Sequence, residues 1–217
     1  MKYLETNRLV LRQWLDSDAQ PFAKLNANPE VMKYFPKTLD RLESDAAIDR
    51  YQSVIARQGW GFWAAELKGS KEFIGFIGLN QLPEDHPLAP TVEIGWRLSP
   101  QYWGLGLASE GAAACLGHAF ENLCLSEVVS QTPLQNKPSE RVMIRIGMTD
   151  SKQNFPHPSL ASEHPLSIHL LYRIQPGLCI RNLLGNSSCV ALPPAPCSRT
   201  NESSFENNDF LELFRSP

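Results

Sequence analysis

The chain has 217 residues, 42% hydrophobic and 20% charged, with a formal net charge of −3 and a pI near 6.0. That length suits one ordinary domain with a buried core, and the slight acidity excludes the basic footprint by which proteins hold nucleic acid. Five cysteines, odd in number and with no Cys-x-x-Cys pair, argue against a disulfide framework and a zinc site and suit a reducing cytoplasm.

Met1 to Glu5 carries no apolar signal core, and the small apolar run Gly111 to Gly117 is too short to span a bilayer, so a cytoplasmic protein with no membrane partner is expected. Arg8 to Trp14 sets Leu9 and Leu11 against Val10 and Arg12 and reads as a strand. Ser17 to Asn26 and Asp40 to Arg57 read as helices, the second with Ala47, Ile48, Tyr51, Val54 and Ile55 at helical spacing. Gly61 to Leu67 and Phe73 to Leu82 are strands joined across the turn-forming Lys68-Gly69-Ser70-Lys71. The polar, proline-rich Pro83 to Pro90 interrupts the meander before it continues through Thr91 to Leu98. Leu107 to Leu123 is a helix rich in alanine and leucine, Glu127 to Thr132 a strand, and Pro138 to Ile146 a helix that Asn136 caps. The class expected is α+β: a mixed, mostly antiparallel central sheet with helices on both faces. Past Gly177 the composition turns to Ser, Asn and Pro, so 1–177 reads as the domain and 178–217 as a low-complexity extension.

The stretch with chemistry in it runs from Glu93 to Glu110. Val92, Ile94, Trp96 and Leu98 alternate with Glu93, Gly95 and Arg97, a two-faced strand that Ser99-Pro100 ends. Gln101-Tyr102-Trp103-Gly104-Leu105-Gly106-Leu107-Ala108 follows, and a helix starts at once, so its first-turn N–H groups and positive dipole end meet a glycine turn. This is an arrangement for an anion. A nucleotide triphosphatase loop is excluded because no Lys-Ser or Lys-Thr follows the glycines, and a dinucleotide fingerprint lacks its third glycine, since position 109 is Ser109.

The remaining pattern, Gln101-x-x-Gly104-x-Gly106, resembles the pyrophosphate-binding loop of the GNAT N-acetyltransferase superfamily. Further segments resemble its RimJ/RimL-type, ribosomal-protein N-acetyltransferase branch: Glu5 to Arg12, Asn28 to Met32, Phe73-Ile74-Gly75, Glu93 to Trp96, Tyr102 to Ala108, and Asn136 to Ser139 with Arg141 to Met143 and Gly147-Met148. His157-Pro158 to Arg173 resembles the closing strand, so the likeness covers roughly 1–175. It implies that 1–177 is an acetyl-CoA-dependent N-acetyltransferase domain, with acetyl-CoA as cosubstrate and no metal. It also implies direct transfer to a primary amine, a protein N-terminal α-amine or a small-molecule amine, through a ternary complex.

The same resemblance implies roles. Gln101, Trp103, Gly104, Leu105, Gly106, Leu107 and Ala108 hold the cofactor's phosphates; the backbone of Ile94, Trp96 and Leu98 meets the pantetheine and supplies an oxyanion donor; Asn136 is a further cofactor contact. Glu93 is the candidate base, because burial would raise its proton affinity toward a useful range, or else an ordinary strand glutamate paired with Arg97 on the same face. Ser139 reaches the departing sulfur or simply caps its helix. Cys115 reads as inert filler and His118 and His157 as structural. A non-catalytic acyl-CoA-binding or sensor protein of the same fold is the alternative. The partner expected is an amine substrate, and the chain is a monomer or a homodimer.

Overall fold

The computed structural model describes residues 2–177. The extension, with Phe205, the segment Phe210 to Phe214 and the cysteines Cys179, Cys189 and Cys197, lies outside the described residues. Among the described residues nine strands and four α-helices form a mixed, mostly antiparallel sheet with flanking helices, and they divide into two compact units, 2–80 with 94–115 and 81–93 with 116–177.

In the first unit, β1 (Lys2–Glu5), β2 (Leu9–Arg12), β3 (Phe62–Leu67) and β4 (Phe73–Gln81) are successive antiparallel neighbours. The main part of β5 (Val92–Leu98) lies beside β4, with Ser99 N–H donating to Ile74 O at 2.9 Å. Side chains alternate across a strand, so Phe76 and Ile77 stand on opposite faces. On the Phe76 face, Phe22 of α1 (Ala19–Asn26) and Tyr51 of α2 (Arg41–Gln58) join Phe62 and Phe76, with ring centroids 5.0–6.4 Å apart. Trp14 closes this cluster and donates its indole N–H to Phe62 O at 2.8 Å. Aromatic pairs at such distances contribute about 0.5–1.5 kcal/mol each beyond their buried area.

On the Ile77 face lies α3 (Leu107–Glu121), whose Gly111 is pressed so closely that a Cβ there would stand 2.4 Å from Ile77 Cδ1 and 3.3 Å from Leu9 Cδ1. The run of small residues in this helix therefore reflects close helix-on-sheet packing. α2 opens on a reciprocal cap, with Glu43 N–H to Asp40 Oδ1 and Asp40 N–H to Glu43 Oε2, both 2.8 Å, and ends on Gly59 at φ 83°. Buried Arg12 forks onto Asp18 at 2.6 and 2.9 Å and reaches Glu66 at 2.6 Å, a cation fully matched by carboxylates.

In the second unit, the first residues of β5 pair in parallel with β6 (Val128–Pro133), at Val92↔Val128 and Glu93↔Val129. β6 runs antiparallel to β9 (Ile168–Ile174), which also carries the short strands β7 (Thr149–Asp150) and β8 (Phe155–Pro156). Its core centres on Leu82, Val129 and Leu171, with Leu88 and Phe155 packed against them. α4 (Lys137–Arg145) follows β6 directly.

Candidate active site

The glycine turn lies in the first unit and is held by its own backbone. A 3-10 turn over Pro100–Tyr102 returns Trp103 N–H to Pro100 O at 3.0 Å, and the Trp103 indole N–H donates to Leu98 O at 2.7 Å, tying the loop to the end of β5. Gly104 and Gly106 then adopt φ 74° and 78°, the left-handed region that glycine enters without strain. Leu107 begins α3, whose 15 residues bring roughly half a positive charge to its N-terminus.

One ion pair braces this corner. Glu110, in the first turn of α3, accepts Thr6 Oγ1–H at 2.5 Å, Arg8 N–H at 2.8 Å and Arg8 Nε–H at 2.6 Å. Burial alone would raise the Glu110 pKa, but the hydrogen bonds from Thr6 and Arg8 outweigh it and hold the carboxyl below its usual value. Arg8 Nη1 in turn donates to Leu105 O at 3.0 Å. The charge of Glu110 is thereby matched beside the helix end, where it would otherwise oppose an anionic ligand.

The turn suits a phosphate-bearing ligand. A Cβ on Gly104 would meet nothing within 4 Å, and one on Gly106 would meet only Arg8 Nη2, at 3.7 Å. Trp103 and Leu105 are exposed, Gln101 likewise, and Ala108 is half-buried, whereas Leu107 is buried in packing. On β5, Ile94 and Leu98 are buried and Trp96 half-buried. Main-chain groups are thus what this corner offers a ligand most directly.

In the second unit Glu93 is buried and accepts Gln131 Nε2–H at 3.1 Å. Arg97, its neighbour by strand alternation, bonds elsewhere, to Asn26. His86 Nε2 lies 3.4 Å from the same Gln131 amide nitrogen, and burial holds the His86 pKa below its ordinary value. Behind it stand His157 and His169, ring centroids 4.7 Å apart, with His157 6.2 Å from His86.

Asn136 caps α4, its Oδ1 accepting Ser139 N–H at 3.2 Å while its Nδ2 donates to Thr132 Oγ1 at 2.8 Å. Ser139 itself is half-buried. Next to it Glu140 accepts from Lys137 at 2.8 Å and from Tyr172 Oη–H at 3.1 Å. Burial first, and Glu140 second, push the Tyr172 phenol up to about 12, so it keeps its proton at neutral pH.

Arg8, Glu110, His86 and Gln131 were not singled out as site residues from the sequence. Each acts across a long separation, 102 residues between Arg8 and Glu110 and 38 between Glu93 and Gln131, which no local spacing reveals. Cys115 is fully buried, and burial pushes its thiol well above the usual range, which fits the inert filler read from its helical neighbours. Among the described residues no group of three His, Cys, Asp or Glu side chains is placed to hold a metal ion, and no helix is long and apolar enough to cross a membrane.

Residues 8–149 match the Acetyltransferase (GNAT) domain. YoaA of Bacillus subtilis, named an uncharacterized N-acetyltransferase, is 34% identical over 148 residues, covering 66% of this chain and 81% of its own. The FsC-acetyl coenzyme A-N(2)-transacetylase of Aspergillus fumigatus is also 34% identical, over 154 residues, covering 67% of this chain and 64% of its own. The ribosomal L7/L12 α-N-protein acetyltransferase RimL, solved in complex with coenzyme A, superposes with a TM-score of 0.65 at 15% identity, covering 81% of this chain and 98% of RimL. A glycine turn opening onto a helix, a mixed sheet of this order and a domain match over most of the described residues agree: the chain belongs to the GNAT acetyltransferase family and is an acetyl-CoA-dependent N-acetyltransferase.

Proposed function

We propose that the enzyme moves the acetyl group of acetyl-CoA directly to a primary amine within a ternary complex, the acceptor being a protein N-terminal α-amine or a small-molecule amine. The observation that carries this reading is the left-handed pair Gly104 and Gly106 at the head of α3, braced by Arg8 and Glu110. Backbone N–H groups from Gln101 to Ala108 would hold the pyrophosphate, and Arg8 Nη2 would add a cation beside Gly106. The backbone of Ile94, Trp96 and Leu98 would meet the pantetheine and offer the oxyanion donor, with Asn136 a further cofactor contact.

Acetyl transfer needs a neutral amine and help for the leaving thiolate. Glu93 is the base in this reading, supported by its burial and by the hydrogen bond from Gln131. Ser139 serves the departing sulfur; a thiol of pKa about 8.5 is a tolerable leaving group, so positioning outweighs proton donation there. A terminal α-amine of pKa near 7.7–8.0 is roughly a tenth neutral at pH 7, whereas a lysine is neutral on the order of once in a few thousand, so the α-amine is the favoured acceptor. The reading places the enzyme in the cytoplasm, and the resemblance to RimL in fold is consistent with a protein acceptor.

The test is thiol release from acetyl-CoA across a panel of amines, including free-N-terminus peptides with blocked lysines and N-blocked peptides with free lysines. Turnover of the first set above the second supports the α-amine. Acetyl-CoA binding with no thiol released from any amine would leave a binding protein in place of an enzyme.

A further inference from the structure

Two arginines are buried on the helix-covered Phe76 face of the first unit, and their surroundings differ. Arg12 has two carboxylates, Asp18 and Glu66, and its charge is matched. Arg97, 7% exposed, has no carboxylate partner among the described residues. Its Nη1 donates to the amide oxygen of Asn26 at 2.7 Å, and its Nε is buried with no acceptor. The guanidinium lies over the ring of Phe35 at 4.2 Å and of Phe76 at 5.3 Å.

Ring faces attract a cation weakly compared with the loss of its hydration, so an arginine over two rings, bonded to one neutral amide and with Tyr51 its nearest ionisable neighbour, is a buried charge only partly compensated. The arrangement is nonetheless built. Asn26 is 0% exposed, and its Nδ2 donates to Ser44 Oγ at 3.1 Å while Ser44 Oγ–H donates to Asp40 O at 2.8 Å, which fixes the amide with its oxygen toward Arg97. With Nη1 taken and the guanidinium over two rings, the edge formed by Nε–H and Nη2–H has no partner among the described residues. Two parallel N–H donors on that edge match one planar carboxylate.

We infer that Arg97 binds a carboxylate of the acceptor substrate, so that the amine acetylated by this enzyme belongs to a molecule bearing a carboxylate. The inference rests on the acetyl-transfer reading above and names its substrate class. The cofactor's phosphates are the other anions at hand, but the turn proposed to hold them opens α3, which packs on the Ile77 and Leu9 face, whereas Arg97 packs with Phe76 on the other. α1 ends at Asn26, and Phe35 lies on the segment leading from it to α2, so the guanidinium is held by these two helices and their connection.

The experiment compares matched acceptors with the full chain and acetyl-CoA: L-α-amino acids against their α-carboxamides, and C-terminally amidated peptides beginning Ala-Glu against Ala-Gln. The first pair reports a free amino acid and the second an acidic peptide. At least one carboxylate acceptor should show kcat/KM about tenfold or more above its amide, mainly through KM. Arg97→Gln should reduce that ratio to within about twofold while leaving the acetyl-CoA Kd unchanged. Asn26→Asp, which sets a carboxylate against Nη1 and matches the charge internally, should fold at least as well as the parent and also lose the preference; it decides the matter if Arg97→Gln does not fold.

Equal rates for every matched pair, or a preference that survives Arg97→Gln or Asn26→Asp, would overturn the inference while leaving acetyl transfer intact. So would acetyl-CoA bound but no carboxylate acceptor turned over. Loss of acetyl-CoA affinity in Arg97→Gln that is absent with dephospho-CoA would reassign the charge to the cofactor. Failure of the parent protein to bind acetyl-CoA at all would instead defeat the reading on which this inference rests.

Discussion

Gln131 Nε2–H donates to Glu93 Oε2 at 3.1 Å, and the same amide nitrogen lies 3.4 Å from His86 Nε2. Leu88 N–H donates to His86 Nδ1 at 3.2 Å, so the neutral ring carries its proton on Nε2 and cannot accept from the amide. The amide N–H therefore serves Glu93. Turned by half a rotation, its oxygen, now buried without a partner, would instead accept from His86 Nε2–H.

Gln131→Leu removes the donor that favours the carboxylate form. A hydrogen bond to a charged group contributes about 1.5–3 kcal/mol, and one pH unit corresponds to about 1.36 kcal/mol. The acidic limb of the kcat/KM profile should therefore move upward by about one to two units, with the acetyl-CoA Kd within about twofold of the parent. A limb that stays in place contradicts the role given to Gln131.

Glu93→Gln keeps the shape of the side chain and abolishes the base. Cofactor affinity should change little, and turnover should fall most on the acidic side, where the amine must be freed of its proton. Titration with acetyl-CoA and a pH–rate profile read the two effects separately. A profile of unchanged shape would assign the proton transfer to water.

The second unit should lose stability in mild acid. Burial, followed by neighbouring imidazoles, lowers His157 to about 3, and burial lowers His169 to about 4, against an ordinary 6.5. Both are neutral when folded, so the unfolded chain binds more protons between pH 6.5 and those values. The stabilisation is complete above pH 6.5 and is lost as pH falls below it. At pH 5 the two together cost about 4 kcal/mol, at about 1.36 kcal/mol per unit each. A drop in Tm of roughly 8–16 °C between pH 7.5 and 5 is expected, and His157→Asn should shrink it. A Tm constant across that range would show that the imidazoles charge without penalty.

The family match ends at residue 149 and β9 closes the second unit at Ile174. Ending the chain after Gly177 should leave a protein that melts cooperatively and binds acetyl-CoA as the full chain does. Loss of the cooperative melt would make 178–217 part of the fold.

The strands and helices that position the turn were legible because their periodicities are strong. Val92 to Leu98 alternates cleanly, and Asp40 with Glu43 marks the start of α2 where the reciprocal cap forms. β1 was not foreseen, since four residues, Lys-Tyr-Leu-Glu, show no usable alternation, and the two-residue β7 and β8 exist only through pairing with β9. Glu93 and Arg97 illustrate the limit at the site. Strand spacing puts them on one face, yet each finds its partner elsewhere, Gln131 at 38 residues and Asn26 at 71, because burial demands an acceptor or donor that only the folded chain brings near.

The central claim is that the backbone of Gln101 to Ala108 holds acetyl-CoA, and calorimetric titration of Gly106→Val tests it most directly. Gly106 sits at φ 78° with no atom but Arg8 Nη2 near the added Cβ, so the substitution strains the turn and fills the space offered to the ligand, without striking the protein core. Gly69→Ala, on an open turn with no positive φ, is the matched control. The account predicts that Gly106→Val weakens acetyl-CoA binding by at least about tenfold, equivalent to about 1.4 kcal/mol, in a protein that still melts cooperatively. Unchanged affinity in a folded Gly106→Val protein would contradict it.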